Sequence, residues 1–232
     1  MRRTAMPREI HPMLATLVEE PFDDPQWLYE VKWDGYRAVA FIDDGARLVS
    51  RNQNELTGEF PEIAQAMQDL PVENAIIDGE VVALDEEGRP SFSLMQQRTG
   101  MTHPGARGSR NRAVPIVYYA FDLLYLNGQN LLATPLEQRK ALLQQMIPVD
   151  KGFLRYSDHY PEQGTALYGV ARDKGLEGIV AKLRTGAYVQ KRSREWLKIK
   201  ITRRQECVIA GYTDPRGSRE NFGSIVLGLY DE

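Results

Sequence analysis

From Trp27 to Ile42 hydrophobic and polar positions alternate, and the alternation breaks at Asp34-Gly35, which predicts a strand, a turn and a second strand. Asp44-Gly45 is a hairpin signal, so Arg47 to Asn52 reads as the next strand. Ile63, Ala66, Met67 and Leu70 recur at helical spacing and predict a helix over Pro61 to Leu70. The apolar runs Ala75 to Leu84 and Ile116 to Leu126 predict two more strands, closed by turns at Asp85 to Gly88 and at Asn127-Gly128. Ser91 to Arg98, Pro135 to Ile147 and Glu162 to Lys174 are expected as helices, Pro135 being well placed at a helix start. Glu177 to Leu183, Trp196 to Ile201, Glu206 to Thr213 and Ser224 to Tyr230 read as strands. Residues 1–26, rich in Pro and acid, read as a lead-in arm, and Met101 to Ala113, rich in Gly and Arg, as a mobile loop. Helices and strands mix without regular βαβ alternation, so the expected fold class is α+β.

Composition narrows the function. With 232 residues, 42% hydrophobic and 26% charged, the chain can bury a real core. The most apolar stretch, Ile116 to Leu126, is too short for a membrane span and is broken by Asp122. The basic N-terminus has no apolar segment behind it, so no signal peptide is expected. One cysteine excludes an internal disulfide and a cysteine-based zinc cluster, and three scattered histidines exclude an HExxH site. These features fit the cytoplasm. The net charge is −3, so any contact with nucleic acid must come from local patches. Lys182 to Arg204 carries nine cations against one acid, and Arg98 to Arg112 four arginines and no acid. No GxxxxGK[ST] or GxGxxG loop is present, so a nucleotide would be held some other way.

Four segments carry candidate chemistry. Lys32, in Glu30-Val31-Lys32-Trp33-Asp34-Gly35-Tyr36-Arg37, sits at a strand end beside a glycine turn. Asp78-Gly79-Glu80 places two acids inside an apolar strand, which is costly unless they are paired or hold a cation. Glu177-Gly178-Ile179-Val180-Ala181-Lys182 is the third, and Lys198-Ile199-Lys200 puts two lysines on one face of a strand. Taken singly, each has an ordinary reading: a surface lysine, a strand-edge turn, a wet basic face.

Their order and spacing resemble the covalent nucleotidyltransferases, which comprise ATP-dependent DNA ligases, RNA ligases and mRNA capping enzymes: KxDGxR at 32–37, DGE at 78–80, an aromatic strand at Phe121-Asp122, EGxxxK at 177–182 and KxK at 198–200. The surrounding text is most similar to the ligase module of bacterial D-type end-joining ligases. The resemblance implies a nucleotidyltransferase (adenylation) domain over residues 1–201, built of antiparallel sheets flanked by helices. Residues 202–232 would be the start of an OB-fold; they hold two or three strands of the five a barrel needs, so the chain is expected to be a fragment with its first step impaired.

The resemblance also implies roles. Lys32 attacks the α-phosphorus of ATP, and Asp34 supports its segment. Glu30 and Phe121 contact adenine, with Tyr119 as the alternative stacking ring. Arg37, Arg51 and Glu80 surround the ribose. Lys182, Lys198 and Lys200 meet the α-phosphate, and Glu177 with Glu80 holds Mg²⁺ or Mn²⁺. The substrate would be nicked duplex DNA, with a polymerase module and Ku as end-joining partners. An RNA ligase, a capping guanylyltransferase and a non-catalytic nucleic-acid-binding module remain alternatives. An ordinary lysine, with a pKa near ~10.4, is almost wholly protonated at neutral pH, so Lys32 needs neighbouring cations; Lys198 and Lys200 are the candidates. Glu30, Asp34, Glu80 and Glu177 act against them, and a metal is expected to offset those acids.

Overall fold

The computed structural model describes residues 3–100, 111–147, 152–202, 206–215 and 221–229. The chain divides into two compact units, Met1–Ile201 and Thr202–Glu232. In chain order the first unit begins with β1 (Leu14–Val18), β2 (Trp27–Val31), β3 (Tyr36–Ile42), β4 (Ala46–Ser50), α1 (Pro61–Gln68), β5 (Ala75–Ala83), α2 (Phe92–Thr99) and β6 (Ile116–Leu126). It continues with β7 (Gln129–Asn130), α3 (Leu136–Met146), β8 (Leu154–Tyr156), β9 (His159–Pro161), α4 (Gly164–Asp173), β10 (Gly178–Leu183) and β11 (Arg192–Lys200).

These strands form two sheets. One runs β1-β11-β10-β2-β9, the other β4-β3-β5-β6-β7 with β8 also on β6. All pairings are antiparallel except β1 with β11 and β6 with β8. In the first sheet Val180 lies opposite both Glu30 and Lys198, and Lys182 opposite Trp196, so these side chains share one face. The other face, with Tyr29, Ile179, Ala181, Leu197 and Ile199, packs on Leu167 and Ala171 of α4. In the second sheet Ala38, Ile77, Tyr118 and Ala120 pack against Ile63 and Met67 of α1, Met95 of α2 and Leu143 of α3. Its opposite face brings Val39, Ile76 and Phe121 to Trp196 of the first sheet. The two faces that meet there carry the chemistry.

A β-bulge shapes that meeting. Gly79 pairs with Ala120 and Asp78 with Asp122, which leaves Phe121 without a partner on β5. An extra residue of this kind bends its strand and re-aims side chains.

The structure departs from the sequence reading at three places. The expected N-terminal arm contributes β1 and the fully buried Ile10 and Met13. The partner of β1 lies far along the chain, Leu17 opposite Lys198, so no local pattern announced it. β8 and β9 are three-residue strands too short for a period to show. β11 begins at Arg192, ahead of the apolar residues that marked it. Most of the expected mobile loop, residues 101–110, lies outside the described residues, as do Arg203 and Arg204 of the basic stretch.

The second unit shows β12 (Val208–Tyr212) and β13 (Ile225–Gly228) as an antiparallel pair. Among the described residues, no helix is long and apolar enough to cross a membrane.

Candidate active site

Lys32 directly follows β2, and its backbone N–H donates to the Gly178 carbonyl at 2.9 Å. Two glycines let neighbouring strands close in around this turn. A Cβ on Gly35 would run into the Val81 carbonyl, and one on Gly178, whose φ is +146°, into that of Ile199. The Lys32 ammonium pairs with Glu177 Oε2, while Lys200 Nζ lies 3.0 Å from Glu177 Oε1. Burial works against the charge of Glu177, but hydrogen bonds from Lys32 and Lys200 prevail and hold its pKa below the usual carboxylate range.

A cleft of about 220 Å³ opens beside Lys32, lined by eight of the expected residues: Glu30, Lys32, Arg37, Arg51, Glu80, Phe121, Lys182 and Lys198. Glu177 and Lys200 adjoin it through Lys32. Asp34 lies near enough for Glu177 to raise its pKa, after burial, and for Lys32 and Lys200 to oppose the rise.

Each wall is held from behind. Arg37 donates from Nε and Nη2 to Asp78 Oδ1 and Oδ2 at 2.8 and 2.6 Å, and from Nη2 to the Met13 carbonyl at 3.1 Å. Tyr188 donates its hydroxyl to Asp78 Oδ2 at 2.5 Å and accepts the Met13 N–H at 2.9 Å. The guanidinium carbon of Arg37 thereby stands 4.8 Å from the Phe121 ring centre. Buried Glu30 accepts from Lys182 Nζ at 2.9 Å and from Ser157 Oγ at 3.2 Å, and Lys140 Nζ lies 3.0 Å from its other oxygen. Burial alone would raise its pKa; the two lysines bring it below the ordinary value. Lys182, expected at a phosphate, thus rests on Glu30, 4.4 Å from the ring centres of both Phe121 and Trp196. The alternative ring, Tyr119, stacks instead on Trp33 at 3.6 Å.

Protein cations therefore match two of the four acids that a metal was expected to offset: Lys140 and Lys182 serve Glu30, and Lys32 and Lys200 serve Glu177. Glu80 is different. Among the described residues no cation pairs with it, and burial pushes its pKa up to about 8, past the lowering by Arg37 and Lys32, with Asp78 and Glu177 adding to the rise. A carboxylate in that condition suits a divalent cation, and its hard oxygens suit magnesium or manganese.

Lys140, Ser157 and Tyr188 were not singled out from the sequence. One signal existed for Lys140: Leu136, Arg139, Lys140 and Leu143 form the buried stripe of α3, and two cations on such a stripe require buried anions. Arg139 meets Asp122, donating from Nε at 2.7 Å and from Nη2 at 2.9 Å.

The sequence profile of the ATP-dependent DNA ligase domain matches residues 12–200. The chain is 40% identical to the multifunctional non-homologous end joining protein LigD of Pseudomonas aeruginosa over 230 residues, covering 98% of this chain and 26% of that protein. It is 34% identical to the SPbeta prophage-derived DNA ligase-like protein LigB of Bacillus subtilis, covering 88% of this chain and 72% of that one. Among solved structures, a mycobacterial DNA ligase D complexed with ATP and MES is 33% identical with a TM-score of 0.72, covering 94% of this chain and 67% of that one. The chain therefore spans about a quarter of the length of the end-joining relatives, 26% and 29% for those of P. aeruginosa and Mycolicibacterium smegmatis.

Proposed function

Because this chain belongs to the ATP-dependent DNA ligase domain family, we propose that it is the adenylating part of a bacterial end-joining DNA ligase, working on nicked duplex DNA in the cytoplasm. The observation that carries the reading is the juxtaposition of Lys32 with Lys182, Lys198 and Lys200 across from Phe121, Arg37 and Glu80.

Adenine lies against Phe121 and Glu30, and Arg37 and Arg51 hold the ribose. Lys32, once it has given up its ammonium proton, attacks the α-phosphorus. A P–N bond forms, the bond to pyrophosphate breaks, and AMP stays on Lys32. Lys198 and Lys200 share a strand face and put two point charges on the transferring phosphate. Asp34 steadies the turn after Lys32. The DNA 5′-phosphate then displaces Lys32 from AMP, and the neighbouring 3′-hydroxyl displaces AMP to close the nick. Glu80, with Glu177, would hold a magnesium or manganese ion, which when bound supplies positive charge against the phosphates. Residues 202–232 are read as the opening strands of an OB-fold, and a polymerase module and Ku as partners in end joining.

Incubation with ATP, a divalent metal and a duplex carrying a 5′-phosphate nick is expected to yield sealed strand and a transient adenylated 5′ end. Activity only on RNA nicks or only with GTP would favour an RNA ligase or a capping enzyme. Salt-sensitive binding without any covalent nucleotide would reduce the chain to a binding module.

A further inference from the structure

Lys140 belongs to none of the five motif segments, yet its side chain is fully buried against the site. Its Nζ lies 3.0 Å from Glu30 Oε1, donates to the Ser157 carbonyl at 2.8 Å, and stands 4.3 Å over the Tyr156 ring. Two ammonium groups therefore share the single carboxylate of Glu30. They differ in where they face. Lys182 lines the cleft, donates among the described residues only to Glu30, and lies over the Phe121 ring, where adenine is expected, and over Trp196. Lys140 is anchored behind Glu30 from three sides and does not reach the cleft.

We propose that Lys140 is a positioning residue for adenylation: it is the fixed counter-ion of Glu30, which leaves Lys182 free to move from that carboxylate to the nucleotide's phosphate. Without it, release of Lys182 would strand a buried carboxylate with no cation, a heavily penalised state. With it, release also relieves the repulsion between two buried ammonium groups. The charged and titratable groups around Lys140 bear this out. Glu30 of β2 attracts it, as does Asp122 of β6, itself held by Arg139 of α3, while Lys182 of β10 repels it. Tyr156 of β8 presents its ring, and His159 of β9 has its own pKa lowered by burial and by Lys140. Burial first, and Lys182 in addition, bring the pKa of Lys140 down to about 8 in spite of Glu30.

The inference rests on the adenylation reading above. The test is the single-turnover rate of covalent AMP formation on the full chain at saturating ATP, followed by intact mass. Lys140→Met is expected to slow that rate at least ~tenfold while the ATP concentration for half-maximal rate changes less than ~threefold. Adding Glu30→Gln to Lys140→Met is expected to restore part of the lost rate, because a neutral amide no longer holds Lys182. A merely structural Lys140 would give no such recovery. Wild-type speed in Lys140→Met, or a double variant as slow as the single, would overturn the inference. Should Lys140→Met not fold, Lys140→Arg carries the test. Its rate relative to wild type should climb from pH about 7 to pH about 9.5, as Lys140 loses its proton and an arginine in its place does not, whereas a constant ratio would overturn the inference. No adduct on wild type would instead overturn the adenylation reading, and this inference with it.

Discussion

Glu80 and Glu177 are both acids of one site, yet their surroundings separate them. Glu177 has two lysines and stays ionised; Glu80 has none in pairing range among the described residues, and burial lifts its pKa to about 8. An acid whose folded pKa is raised takes up a proton on folding. Its cost to stability is absent below the ordinary carboxylate range, grows as pH rises through the window up to about 8, and is complete above it. In metal-free buffer, Glu80→Gln is therefore expected to melt higher than wild type near pH ~9 and alike near pH ~4. Manganese is expected to raise the Tm of wild type and not that of Glu80→Gln. Coincident melting curves at every pH, or an equal response to manganese, would count against this account of Glu80. Lys32, Glu177 and Lys198 were legible in the sequence only together, because their short segments follow one another in one order and spacing while each alone has an ordinary reading. Tyr188 and Lys140 were not, because a tyrosine near a strand and a lysine on a helix usually serve packing and solvation.

The elements were legible where their apolar period is local. β2, β3, β5, β6 and the helices lie where alternation, helical spacing, turn residues and Pro135 put them. β1 escaped because what makes it a strand is the parallel edge of β11, distant in sequence. The bulge at Phe121 escaped for a related reason: it exists only in the register with β5. α3 shows what one helix does for the site, since its buried stripe supplies both Lys140 and Arg139. Arg139 and Asp122 are wholly buried, and Arg139 also donates to the Gly186 carbonyl at 3.0 Å, tying α3 to β6 and to the turn before β11. Arg139→Met would leave the Asp122 carboxylate buried without a cation. It is expected to lower the unfolding free energy by about 3–5 kcal/mol in urea titrations. A loss under about 1 kcal/mol would mean that Asp122 finds another partner.

At the scale of the molecule, all the motif residues fall in the first unit, Met1–Ile201, whose two sheets face each other across the cleft. Composition explains why so little charge accumulates overall. The net charge is −3, from 29 lysines and arginines against 32 acids, and at the site two lysines share Glu177 and two share Glu30. The order of the five motifs made the family legible; the ion pairs that organise them needed the sheet registers, which no single segment encodes. The reading turns on Lys32 as nucleophile, and intact-protein mass spectrometry tests that directly. After incubation with ATP and manganese, the chain is expected to gain the mass of one AMP, mapped by peptide analysis to Lys32 and absent from Lys32→Ala. No adduct, or an adduct that persists in Lys32→Ala, would contradict it.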